Sequence, residues 1–307
     1  MDQIKDHPLY RKHNIDSAMN SLWEFYKTRF VALFLISLVM SMILQYATIL
    51  IDFKELQKIT DPMLILEKLK SYIIPMLIFT LVSLLFTTIL HYYILHKPLD
   101  NSQNIFICIY KSLKYFIPYL IVIILLAFVG SFAIALGLLV LIIGVFFSLI
   151  YIMMISFFIL PVMMTEEANI GSTIIRTIAL SHRNFWTNIG WTAVFLILYI
   201  IISIILSGIV LIPFAGSFLK TLFNPQDTSQ IINLTTNPIF LFLSSAVNAL
   251  TLPLIPIFGY IIYFNGKARE EDGRLHSSGD DTGSRVRVED LYAKPRIEDN
   301  QGNGEKV

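Results

Sequence analysis

From Tyr115 to Thr165 the chain reads YFIPYLIVIILLAFVGSFAIALGLLVLIIGVFFSLIYIMMISFFILPVMMT, 51 residues with no Asp, Glu, Lys or Arg. A helix rises ~1.5 Å per residue and needs about 20 apolar residues to cross a bilayer core. This stretch is therefore two crossings, at about 116–135 and 138–163, with a tight apolar turn near Gly137. Working outward, four more apolar runs fit one crossing each: 30–51, 72–93, 186–212 (ending at Pro213) and 240–264. Lipid offers the backbone no hydrogen bonds, and the runs lack the alternating polarity of a barrel strand, so the spans are helices.

Composition agrees. Apolar residues make up 55% of the 307, charged residues 15%, and mean hydropathy is +0.68. A soluble domain needs nearer a quarter charged residues to face water. A net charge of +1 gives no footprint for nucleic acid. The single cysteine, Cys108, excludes an intrachain disulfide and reads as a small core residue rather than a lipidation site. The first 29 residues mix acids and bases ahead of an apolar run too long for a signal-peptide core.

Six spans put the N-terminal segment, the loops at 94–115 and 164–185 and the start of the tail on one side. That side carries thirteen Lys and Arg, against five (Lys54, Lys58, Lys68, Lys70 and Lys220) on the other. Positive charge stays inside, so both termini are expected in the cytoplasm. Trp23, Trp186 and Trp191 fall near inner-face entry points, as an interfacial belt requires.

Three segments ahead of the odd-numbered spans align. Asp16, Ser102 and Ser172 are good N-cap types, and Phe30, Phe116 and Trp186 follow each by the same interval. Between them, Met19, Leu22, Trp23 and Tyr26 match Ile105, Cys108, Ile109 and Ser112, then Ile175, Ile178, Ala179 and His182, a spacing that marks one helix face. The expected plan is all-α and integral to the membrane. Six transmembrane helices form three hairpins within residues 1–266, each hairpin preceded by an amphipathic helix on the inner surface. Residues 267–307, rich in charge, Gly, Ser and Asp, form a disordered cytoplasmic tail. Within it, Val286–Tyr292 is a small apolar patch. Asn233-Leu234-Thr235 fits a glycosylation pattern, which matters only in a eukaryotic secretory pathway.

The spans carry no central Asp or Glu for an ion relay. His91 and His96 are not at ligand spacing. Phosphate loops, nucleophile elbows and zinc-protease motifs are missing, so no catalytic residue, cofactor or metal is expected. In the sixth span Ser244, Asn248 and Thr251 share a face ahead of Pro253 and Pro256, which should kink or interrupt the helix. They line a cavity or ion path, or bond between packed helices. Gly130, Gly137 and Gly144, seven apart, suit close packing and a turn. At the inner face Glu166 and Glu167 precede Arg176, His182 and Arg183, while Lys111 and Lys114 lead the third span. These form either an ion-pair cluster anchoring the third surface helix or contacts for anionic headgroups or a partner.

Leu160-Pro161, Glu166, Ile174 to Arg183, Phe185-Trp186, Tyr263-Phe264, Arg269-Glu270-Glu271 and Gly273 follow one another in an order that resembles a group of bacterial six-span proteins. These are similar to the membrane domain of glycerophosphoryl diester phosphodiesterases. The resemblance covers about residues 15–275 and implies the fold and a bacterial inner membrane. Some members carry a phosphodiesterase barrel; such a barrel needs roughly 250 residues and the tail here has about forty, so the activity is not carried over. The leading expectation is a non-enzymatic scaffold or accessory subunit engaging anionic lipid at the inner face, with a protein partner or a second copy beside it. The alternative is a transporter or channel for a small or lipidic solute. A lipid-modifying enzyme rests on the family's association alone.

Overall fold

A computed structural model describes residues 2–47, 62–100, 102–216, 219, 223 and 236–280. Residues 48–51 of the first expected span, Asn233–Thr235 and the Val286–Tyr292 patch lie outside them. The chain divides into two units, 1–268 and 269–307; the second is described as far as Asp280, as helix.

Among the described residues ten α-helices follow in order: α1 Asp2–Lys5, α2 Ile15–Thr28, α3 Phe30–Ala47, α4 Pro62–His96, α5 Ile105–Leu139, α6 Leu141–Thr165, α7 Ile170–Arg183, α8 Phe185–Leu211, α9 Pro238–Thr251 and α10 Leu254–Asp280. No strand occurs among the described residues. Among the described residues six helical stretches are long and apolar enough to cross a membrane: Phe30–Ala47, Leu69–His96, Ile105–Leu139, Leu141–Thr165, Phe185–Phe214 and Pro238–Asp272. The last is interrupted at Leu252–Pro253, where proline lacks the N–H that would continue the ladder.

The helix caps differ from those read in the sequence. Asn14, Asn104 and Asn169 are the N-caps, not Asp16, Ser102 and Ser172. Asn14 Oδ1 accepts from Ser17 N at 2.7 Å, and Ser17 Oγ accepts from Asn14 N at 2.9 Å, a reciprocal box. Asn169 Oδ1 accepts from Ser172 N at 2.9 Å, so Ser172 is already inside its helix. Ser102 belongs to a turn built on Asp100, donating to its carboxylate from N and Oγ at 2.9 and 2.6 Å.

The register shifts with the caps. Four, eight and eleven residues after each asparagine stand Ala18, Leu22 and Phe25; Cys108, Ser112 and Tyr115; and Thr173, Thr177 and Leu180, all buried. The three leaders nevertheless differ in form. α2 and α7 are separate 14-residue helices, each parted from its span by one residue, Arg29 or Asn184. The middle leader is continuous with its span in α5, through Pro118. There Phe106, Ile107, Ile109, Tyr110 and Leu113 are all exposed, alongside the exposed Lys111 and Lys114, so apolar and basic residues share the outer side of this leader.

Burial concentrates at one end of the bundle. Thr88–Leu95 of α4, Phe157–Thr165 of α6 and Pro256–Asn265 of α10 are buried all round, as only a helix enclosed by others can be. The N-terminal segment closes this end. His7 Nε2 lies 3.2 Å from Ile94 O, His13 N donates to Asn265 Oδ1 at 2.9 Å, and Tyr260 Oη donates to His91 O at 3.1 Å. At the opposite end α5 and α6 form a hairpin whose tip, Leu138 to Ile143, is exposed. The turn is at Val140–Leu141, three residues beyond Gly137, with Leu141 at φ 59°. Gly137 and Gly144 let the two backbones meet: a Cβ on Gly137 would stand 2.6 Å from Gly144 O and 2.7 Å from Ser148 Oγ.

Candidate functional site

The α6–α7 junction is built around a carboxylate. α6 runs through Pro161 to Thr165, the left-handed Glu167 (φ 47°) turns the chain out of it, and Asn169 starts α7 at once. This folds Arg176 back onto Glu166. Glu166 Oε1 accepts from Tyr263 Oη and Lys267 Nζ, both at 3.0 Å, and Arg176 Nε reaches both carboxylate oxygens at 3.2 Å. Thr165 Oγ1 stands 2.5 Å from Tyr263 Oη. The side chains of Glu166, Lys267 and Arg176 are 16%, 20% and 26% exposed. Every strong donor here already has its acceptor, so the cluster clasps α6, α7 and α10 together and leaves little for a ligand.

Glu167 faces the other way. Its carboxylate lies 3.6 Å from Lys114 Nζ, with both side chains more than half exposed, a weak contact in high dielectric. Lys114 also sits 4.7 Å over the Tyr115 ring. Lys111 and Arg183 are on the exposed surface. The structure thus joins Glu166 to Arg176 and leaves Lys111, Lys114 and Arg183 outside that cluster. Tyr263 and Lys267, which sequence reasoning missed, had one signal: they are one turn apart at the end of the last apolar run.

His182 belongs to a different feature. α5, α6 and α7 enclose an apolar groove of about 270 Å³, walled by Val122 to Ala133 of α5 and Tyr151 to Ile159 of α6, with Ile174, Thr177, Ile178 and His182 at one end. His182 Nδ1 is 2.9 Å from Ile178 O, and Tyr151 Oη is 3.1 Å from Nε2. A carbonyl only accepts, so the Nδ1 proton points at it and Nε2 is left to accept from Tyr151. Thr177, only 2% exposed, lines the same end, and its Oγ1 has no hydrogen-bond partner among the described residues.

Ser244, Asn248 and Thr251 do not converge. Thr251 is buried and its Oγ1 lies 3.3 Å from Val247 O and Asn248 O of its own helix. Ser244 is half-buried, and Asn248 is exposed on the surface of α9. Their buried neighbour is Ser245, which donates to Leu241 O at 2.8 Å.

Sequence reasoning also missed the histidines of the N-terminal segment. His7 stacks on Phe25 (5.8 Å between centroids) and lies 5.0 Å from the Phe264 ring. Burial brings its pKa down to about 4, and His13 is lowered by burial as well. Among the described residues no group of three or more His, Cys, Asp or Glu stands together to hold a metal. Comparison with protein-family models, curated proteins and solved structures finds no match to this chain.

Proposed function

We propose that this polytopic membrane protein is a non-enzymatic scaffold or accessory subunit that engages lipid, holding one acyl chain of a bilayer lipid in the groove between α5, α6 and α7. The observation that carries this is Thr177. A buried hydroxyl without a partner costs about 1–3 kcal/mol, and this one stands at the polar end of an otherwise apolar groove cut into membrane-crossing helices. A lipid ester placed there accepts from Thr177 while its chain follows α5 from Val122 to Ala133, a wall about 16 Å long at ~1.5 Å per residue.

The excess of Lys and Arg supports a cytoplasmic position for both termini in a bacterial inner membrane. The N-terminal segment, the α4–α5 turn and the α6–α7 junction meet at one end of the bundle, in keeping with that topology. Asparagine caps in common and buried positions in register favour three copies of one ancestral unit. Arg176 is engaged by Glu166, so headgroup contacts at this end fall to Lys111, Lys114, His182 and Arg183. The exposed apolar halves of α5, α6 and α8 are the surface for a protein partner or a second copy.

The test is photo-crosslinking in phosphatidylcholine vesicles doped with phosphatidylcholine carrying a diazirine midway along one chain. Crosslinks should concentrate on Val122–Ala133 and Tyr151–Ile159 and fall about tenfold in Val129→Trp, which fills the groove, while those on the lipid-facing surface of α8 persist. Crosslinks spread evenly over every exposed apolar face, in both proteins, would sink the proposal.

A further inference from the structure

Two arginines far apart in sequence line one pocket. Arg11, in the N-terminal segment, and Arg29, in the link between α2 and α3, both face a cavity of about 240 Å³ with Ser21, Glu24 and Thr28. Arg11 donates to Ser21 Oγ, and Arg29 Nη1 donates to Thr28 Oγ1 at 3.2 Å. The guanidinium of Arg29 is half-buried and rests 4.4 Å over the Phe25 ring. Neither arginine makes an ion pair within 4 Å among the described residues. Elsewhere at this end of the bundle the pattern is the reverse, with Arg176 and Lys267 both on Glu166 and Lys114 on Glu167.

We propose that Arg11 and Arg29 form a binding site for a phosphate anion presented by a lipid headgroup. The site rests on the lipid-engaging reading above only for the source of the phosphate; its chemistry stands on the pocket. Guanidinium is the side chain suited to phosphate, offering paired donors in a fixed fork, and Ser21 and Thr28 add hydroxyls beside it. Two guanidiniums against the one carboxylate of Glu24 leave the pocket a net positive charge, which a headgroup phosphate with no cation of its own neutralises. Its position also fits. The pocket lies where α2 hands over to the first membrane-crossing helix, with Trp23 exposed on the same helix, the level of the headgroups. The positive field reaches the neighbours: after burial, Arg29 adds to the lowering of His7 and Arg11 to that of His13.

The experiment is native mass spectrometry of the full chain released from phosphatidylcholine nanodiscs containing phosphatidic acid, repeated with inorganic phosphate added. Wild-type protein should keep one phosphatidic acid under activation that strips phosphatidylcholine, and Arg11→Gln/Arg29→Gln should lower that retention about tenfold. A misfolded variant loses ligand for trivial reasons, so Glu24→Gln is the decisive partner: removing the competing carboxylate should raise retention roughly threefold. Inorganic phosphate that fails to displace the lipid supports the headgroup as the source. Displacement at equal concentration overturns that assignment and makes the site one for soluble phosphate. Retention indifferent to both the arginine pair and Glu24 overturns the site itself, while leaving the chain-binding groove, read by crosslinking, untouched.

Discussion

Glu166 and Glu167 are adjacent carboxylates that should behave oppositely on neutralisation. Glu166→Gln keeps the shape but removes the charge that holds Arg176, Lys267 and Tyr263. Both cations are largely buried, and a buried ion left without its partner costs about 3–5 kcal/mol. The amide oxygen still accepts one hydrogen bond, so the lower end, about 3 kcal/mol, is expected. Glu167→Gln breaks only an exposed contact with Lys114, for which under ~1 kcal/mol is expected. Cys108, the only cysteine and fully buried, is a built-in reporter: a thiol-reactive fluorophore labels it as the protein unfolds. A 3 kcal/mol loss corresponds to a fall of roughly 6–12 °C in the labelling midpoint for a domain of this size. The double variant Glu166→Gln/Arg176→Gln should lose less than the sum of its parts, because each single change orphans the other group. If Glu166→Gln and Glu167→Gln unfold within a degree or two of each other, the clasp is not holding α6, α7 and α10, and the argument fails.

Three other outcomes follow from the geometry. Burial holds His7 near 4 against 6.5 when free, so docking of the N-terminal segment is unaffected above pH 6.5 and weakens as pH falls from there toward 4. Between pH 7.5 and 5 the loss is about 2 kcal/mol, read as amide exchange over residues 2–14 roughly 25-fold faster after correction for intrinsic rates; equal protection at both pH values would refute it. Gly137→Ala forces a Cβ against the backbone of Gly144 and should cost about 1–3 kcal/mol, whereas Gly208→Ala, with nothing within 4 Å of the new atom, should be neutral or slightly stabilising by the same thiol-labelling midpoint. Asn14→Ala should cost about 1 kcal/mol as a true N-cap and Asp16→Ala a few tenths; the reverse order would restore the cap assignment read from the sequence.

How far the sequence could be read follows from what each signal measures. Hydropathy reports the cost of leaving lipid, so it gave six apolar helices and the proline break in the last one, although the third helical stretch begins at Ile105 rather than 116 and the sixth runs on to Asp272 rather than 264. It is blind to whether an apolar residue faces lipid or protein. Ile142 and Ile143 are exposed at one end of α6 while Ile159 and Leu160 are buried at the other, yet all four read alike. The caps were misassigned because Asn14 and Asp16 are both good cap types and only the chain's path chooses between them. That ambiguity, two residues at the first two caps and three at the last, then carried the whole register, since a helix face is lost when its alignment slips by one. Glu166 and Arg176 are ten apart on one continuous segment, and their pairing was within reach as one of two alternatives. Tyr263 and Lys267 arrive from another helix, and no spacing rule links 166 to 267. Arg11 and Arg29 share that fate at shorter range, for they meet only because His7 and His13 pin the N-terminal segment back against the bundle. Local chemistry was therefore legible wherever one helix supplied it. Thr177 in its groove and the arginine pocket are made by segments that sequence alone does not bring together.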